Sequence, residues 1–325
     1  MINAAIVGLG WWGRNIVGAV QGKSAKIRFV HGVSQEPDAV RDLARDKDFR
    51  LSTSLDDALR DPEVQAVVLA TPHSKHAEHI IAVAQAGKPV FCEKPLCLTR
   101  QDVIRATDAV RKAGVPMGVG HNKHFWPGVA ELRRVVASGA LGQVMHIEGH
   151  YSNENSSKFF APWREDPRET PGAGMTGTGM HILEAFSAIA GPAEQVTAQF
   201  CQFRSGKDPL DTVSALFRFR NGMSGFLGAV RPSPIHFRVH VYGSHGNAEA
   251  LGENELVLRL TGKPVERRTL SGPESLLAEF DAFADAVAGR APYPISIDRM
   301  VDIVGMFEAT YRSMECNQPV RVDAL

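Results

Sequence analysis

Three sets of residues have the types and spacing to do chemistry. Gly8, Gly10 and Gly13 form a G-x-G-x-x-G string between an apolar run and a helix-like stretch. In that setting the first glycine permits a tight turn and the second lets backbone approach a pyrophosphate. The third lets helix pack on strand, so that phosphate meets a helix N-terminus. Trp11 and Trp12 lie inside the string, where two bulky rings either pack locally or wall a cofactor groove. The second set is Glu93-Lys94-Pro95, directly after the apolar run 89–92. A carboxylate and an ammonium at the C-terminal end of a parallel strand stand where ligands of open α/β sheets bind. The third is His181, which follows the glycine-rich stretch 172–179 and opens a helix-like segment.

Cofactor choice turns on the end of the second strand, where a carboxylate would bind the ribose 2′-hydroxyl of NAD. Here the chain reads Gly32-Val33-Ser34-Gln35. With no carboxylate at the tip, a 2′-phosphate meets no repulsion and the Ser34 hydroxyl can donate to it. NAD or NADP is therefore expected, with a lean to NADP, tempered because Glu36 is close and no Arg follows directly.

These residues need elements to hold them. Apolar runs at 4–7, 27–33, 64–70, 89–92 and 116–120 alternate with helix-like stretches at 15–20, 37–45, 55–59, 76–86 and 100–113. That alternation predicts a doubly wound parallel sheet with crossover helices, and runs rich in Val, Ile and Ala suit strands buried on both faces. After Gly120 the pattern changes. A helix at 128–138, a strand at 143–152, a polar stretch at 153–170 suited to a substrate-side loop, and a helix at 181–190 precede β-like runs at 196–203, 212–219, 223–230 and 237–242. Helices at 279–288 and 300–314 close the chain. The second half thus reads as α+β, an open and mostly antiparallel sheet with helices on one face. An uncovered sheet face is often an oligomer interface.

At 325 residues the chain exceeds what one core usually supports. Two domains are expected, a dinucleotide-binding Rossmann domain at 1–121 and a substrate-binding and oligomerisation domain at 122–325. Lys plus Arg equals Asp plus Glu at 36 each, which argues against nucleic acid or an anionic membrane as partner and for a small molecule. Four scattered cysteines make neither a disulfide framework nor a zinc pattern, and Cys92 reads as buried packing. No apolar run reaches the roughly 18 residues of a membrane span and no leader pattern opens the chain, so a cytoplasmic protein is expected.

Taken with Thr71-Pro72, His76, Trp163-Arg164 and a closing helix ending near Glu315, these motifs resemble the glucose-fructose oxidoreductase/inositol dehydrogenase/rhizopine-catabolism (Gfo/Idh/MocA) family over nearly the whole chain. The resemblance implies an NAD(P)-dependent oxidoreductase acting on a secondary alcohol or carbonyl of a polyol or sugar-like substrate, as a homodimer or homotetramer. It implies that Lys94 lies beside the nicotinamide and exchanges a proton with the substrate oxygen, that Glu93 orients it, and that a cis bond precedes Pro95. Thr71-Pro72 would run along the cofactor, His76 would touch its ribose side, and Asn122 would reach the substrate. Trp163 and Arg164 either line the substrate mouth or sit in solvent.

The chain departs from the family at two places. Where the family often has Asp-x-x-x-His, this chain has Gly177 four residues before His181. No carboxylate from that position stabilises an imidazolium, and the first turn of a helix also favours neutral imidazole. His181 is therefore expected to bind and position substrate while Lys94 carries more of the proton transfer. His124 stands where the family usually has Arg. His181 and Glu184 alone make no metal site, and none is expected. Two further classes fit the same motifs: an NAD-dependent glycosidase of the family and a non-catalytic dinucleotide-binding regulator.

Overall fold

The computed structural model describes residues 1–158, 162–206 and 210–324. Residues 159–161, within the expected loop 153–170, lie outside the described residues. Two units divide the chain, and they do so more than once. Met1–Cys97, Gln101–Asn122 and Pro273–Met300 form the first; Leu98–Arg100, Lys123–Gly272 and Val301–Leu325 form the second. A single break at 121/122 therefore misses that residues 273–300 belong with the N-terminal unit.

The first unit is built on a six-stranded parallel sheet of β1 (Ile2–Val7), β2 (Ile27–Val33), β3 (Arg50–Ser52), β4 (Ala66–Leu69), β5 (Val90–Glu93) and β6 (Met117–Gly120). Their order is β3-β2-β1-β4-β5-β6, so the winding reverses between β1 and β4. Helices Trp11–Val20, His76–Gln85 and Arg100–Ala113 are among the crossovers. The sequence pattern missed β3, a three-residue edge strand whose Arg-Leu-Ser carries no apolar run. It also assigned helix Ser275–Val287 to the second domain. That helix buries Phe280 and Phe283 fully, with their ring centroids 4.5 and 5.5 Å from that of Phe91 on β5. Gly118 on β6 makes room for this cluster: a Cβ there would lie 2.7 Å from Phe91 and 3.0 Å from Phe283.

The second unit holds a nine-stranded sheet of β7 (Val144–Ser152), β8 (Ala193–Arg204), β9 (Leu210–Phe219), β10 (Ser224–Val230), β11 (His236–Gly243), β12 (Gly246–Leu251), β13 (Glu255–Leu260), β14 (Glu266–Thr269) and β15 (Val320–Arg321). The order is β14-β13-β12-β11-β7-β10-β9-β8-β15, antiparallel except where β10 pairs with β7. Helices Pro127–Ala137 and Gly179–Ile189 pack on one face. On the other, β9 alternates strictly and leaves Leu216 59% exposed beside Phe226, its cross-strand partner on β10. The expected hairpin between β9 and β10 forms, although only Gly222 takes a positive φ, of 86°. No helix among the described residues is long and apolar enough to cross a membrane.

Candidate functional site

In the first unit the glycine string falls at the winding reversal, where open α/β sheets bind ligands. Gly8 has φ +94°, and a Cβ on it would lie 2.4 Å from the Ala70 carbonyl oxygen, so the turn is pressed against the end of β4. A Cβ on Gly13 would lie 2.0 Å from the Gly8 carbonyl oxygen. Only glycine fits at either place. At Gly10, by contrast, a Cβ would meet nothing within 4 Å, and no side chain caps the helix that starts at Trp11. Backbone thus faces open space at the one glycine where a pyrophosphate must come close, and the turn fits a dinucleotide. Trp11 is 51% exposed and its ring lies 5.4 Å from that of Trp12. Such exposure sets aside a core-packing role for Trp11 within this unit.

Ser34 follows the last residue of β2. Its hydroxyl oxygen accepts from the Glu36 backbone N–H at 3.2 Å, which leaves the O–H free to donate. Just below the tip, His31 bridges β2 to its neighbour: Nδ1 lies 2.8 Å from Asp61 and Nε2 lies 2.9 Å from the Ser52 hydroxyl. Arg50 adds a 2.5 Å bond to the same Asp61 oxygen. Against burial, which raises it, the bonds from His31, the Glu63 backbone N–H and Arg50 hold the Asp61 carboxyl below its ordinary value.

Lys94 lies half-buried one residue past β5. Its backbone N–H donates to Glu93 at 3.2 Å, and the peptide bond to Pro95 is cis. The Glu93 carboxylate lies flat over β6, where a Cβ on Gly120 would come within 2.6 Å of it. His76 departs from its expected place on the ribose side. It is 0% exposed, with Nδ1 2.8 Å from the Pro95 carbonyl and Nε2 2.9 Å from the Thr71 carbonyl. A ring so enclosed ties the Thr71-Pro72 segment to the segment after Lys94 and presents no edge to a ligand. Asn122 donates to the Ser275 hydroxyl at 3.1 Å, at the start of helix Ser275–Val287.

In the second unit His181 sits in the first turn of its helix, buried, with its ring 6.0 Å from that of Tyr151. Lys123 lies over the Trp126 ring at 4.0 Å and over Tyr151 at 5.1 Å. Arg164 stacks its guanidinium 4.9 Å from the Trp163 ring, and both are half-buried, unlike a solvent-borne pair. Two buried pairs went unread in the sequence. His124 Nδ1 lies 2.7 Å from Glu184, so the residue that replaces the family's Arg has a carboxylate partner on the His181 helix. Arg231 and Asp211 lie 3.3 Å apart, 4% and 2% exposed, beneath Gly174, where a Cβ would come 2.5 Å from Asp211. Burial raises the Asp211 carboxyl and lowers the Arg231 guanidinium from their ordinary values.

A parallel sheet with a glycine turn at its winding reversal and a lysine past a nearby strand defines a class, the Rossmann dinucleotide-binding proteins that carry a second, sheet-built domain. Residues 2–121 match the sequence model described as "Oxidoreductase family, NAD-binding Rossmann fold", and residues 129–249 match "GFO/IDH/MocA C-terminal domain". The two matches cover about three quarters of the chain, which belongs to the Gfo/Idh/MocA oxidoreductase family.

A levoglucosan dehydrogenase from Pseudarthrobacter phenanthrenivorans is 28% identical over 243 residues, covering 65% of this chain and 62% of that protein. Inositol 2-dehydrogenase 2 of Saccharopolyspora erythraea is 29% identical over 230 residues, covering 68% and 64%. The chain spans about half the length of several curated relatives that it matches. A solved levoglucosan dehydrogenase in complex with NADH and L-sorbose shares the fold, with a TM-score of 0.88 over 99% of this chain and 98% of the other at 22% identity.

Proposed function

We propose that the protein is an NAD(P)-dependent dehydrogenase or reductase that transfers hydride between nicotinamide and a secondary alcohol or carbonyl of a polyol or sugar-like substrate. The observation that carries this reading is the placement of Lys94, half-buried past β5 of a sheet whose glycine turn fits a dinucleotide. When bound, the nicotinamide accepts or gives the hydride. Lys94 hydrogen-bonds the reacting oxygen, offsets the negative charge that develops on it and exchanges its proton. Glu93 fixes the backbone N–H of that lysine. His181, Trp163 and Arg164 bind and orient substrate, and Gly8, Gly10, Trp11, Trp12, Gly13, Thr71 and Pro72 hold the cofactor. The Ser34 tip, without a carboxylate, favours NADP. NADH in a related structure argues for the other cofactor, so the preference rests on this chain's own residues. The exposed Leu216 and Phe226 on the open face of the nine-stranded sheet support self-association as a homodimer or homotetramer.

A panel of polyols, sugars and sugar acids with NAD and with NADP tests the reading by absorbance of the reduced cofactor. Stoichiometric NAD(P)H is expected, with Lys94→Ala slowing turnover about 10²- to 10⁴-fold and His181→Ala costing less. Equal losses would overturn the division between the two residues. Cleavage of a glycoside without accumulated NAD(P)H would replace the dehydrogenase with a glycosidase.

A further inference from the structure

Arg14 follows the last glycine of the turn and is exposed. Its Nε donates to the Leu9 carbonyl at 3.2 Å, inside the glycine string, and its Nη2 donates to the Ala39 carbonyl at 3.0 Å, five residues beyond Ser34. The guanidinium is thereby pinned between the glycine turn and the chain leaving the tip of β2, where the backbone N–H of Gly8 also donates to Val33 at 2.9 Å. Both of its partners are neutral carbonyls. They fix its position and leave its charge unbalanced, and among the described residues no carboxylate lies within ion-pair distance of it. Of its five N–H donors, three remain.

The carboxylates that follow the tip are not directed against this charge. Asp38 pairs with Arg41, and the exposed Glu36 donates its backbone N–H to the Ser34 hydroxyl oxygen. An uncompensated guanidinium held at the end of the second Rossmann strand, with a serine hydroxyl able to donate, is the chemistry that receives a 2′-phosphate.

We propose that Arg14 binds the 2′-phosphate of NADP and sets the cofactor preference of this chain. The inference rests on the NADP reading above, and binding of cofactor halves separates the two without needing a substrate. Calorimetry compares adenosine 2′,5′-bisphosphate with 5′-AMP on the wild type, Arg14→Met and Arg14→Lys. The wild type should bind the bisphosphate about tenfold or more tighter than 5′-AMP. Arg14→Met should abolish that preference while its 5′-AMP affinity stays within about twofold. Arg14→Lys, which keeps the charge without the fork, should fall between. If Arg14→Met keeps the wild-type preference, or weakens both ligands equally, Arg14 only braces the turn and the inference is overturned. If the wild type itself shows no preference, the NADP reading falls and the role of Arg14 falls with it.

Discussion

Gly177 stands four residues before His181, and a Cβ on it would meet nothing within 4 Å in a backbone conformation open to any residue. The missing carboxylate is thus a vacancy of chemistry and not of space. Gly177→Asp should fold normally and place a negative charge beside the histidine, which favours the imidazolium. We expect the histidine-dependent limb of the pH–rate profile to move to higher pH, and the penalty for His181→Ala to grow about tenfold in the Asp background. An unchanged penalty would show that residue 177 does not address His181. His76 makes a second residue-scale prediction. Its two ring nitrogens lie against two carbonyl oxygens, and a ring nitrogen that carries hydrogen donates to the carbonyl it faces. His76→Leu removes the donor from a buried carbonyl at about 1–3 kcal/mol and loosens the Lys94 segment. Urea melts should show the loss of stability, and kcat should fall while cofactor Kd rises, because the same ring is tied to Thr71 on the cofactor side. The histidine itself was legible in the sequence, but its partners were not: nothing local announces that a side chain at a helix start will be enclosed by two loop carbonyls.

Elements carry the buried charges. Arg231 and Asp211 lie under Gly174, in the segment that leads into the His181 helix. Asp211→Asn removes a buried carboxylate that faces the Arg231 guanidinium, at a cost of about 3–5 kcal/mol in denaturant melts; a change below about 1 kcal/mol would show that the pair contributes little to stability. The sheet face makes a pH-dependent contribution. Burial, with the charges of His236 and Arg238 adding to it, lowers His150, and burial also lowers His240. A histidine held low binds fewer protons folded than unfolded. The stability it contributes is present above about pH 6.5 and is lost as pH falls through the unfolded and then the folded value. Tm should decline between pH 7 and 5, and the decline should be shallower in His150→Gln. Periodicity made most of these strands legible, including the alternation of β9 and the Asn221-Gly222 turn. It missed β3, β12, β13, β14 and β15, and of these the Arg-Leu-Ser of β3 and the Glu-Arg-Arg-Thr of β14 owe their pairing to neighbours and not to an apolar pattern.

For the molecule as a whole, motif order and the change of pattern after Gly120 were enough to give two folds, but not to say which residues finish each one. Helix Ser275–Val287 is amphipathic in either setting, and only the packing of Phe280 and Phe283 on Phe91 assigns it to the parallel sheet. Phe280→Ala should cost about 3–5 kcal/mol and show as a lower midpoint in thermal melts. The same packing governs the order of synthesis. A ribosome will have released β1 to β6 long before it makes residue 275, so the nascent sheet must wait with Phe91 uncovered while the whole of the second unit's sheet up to β14 is translated. A gene fragment ending at residue 122 would stop in that waiting state. Despite its complete glycine turn, it should aggregate or recruit chaperones, and supplying residues 273–300 as a separate peptide should rescue it.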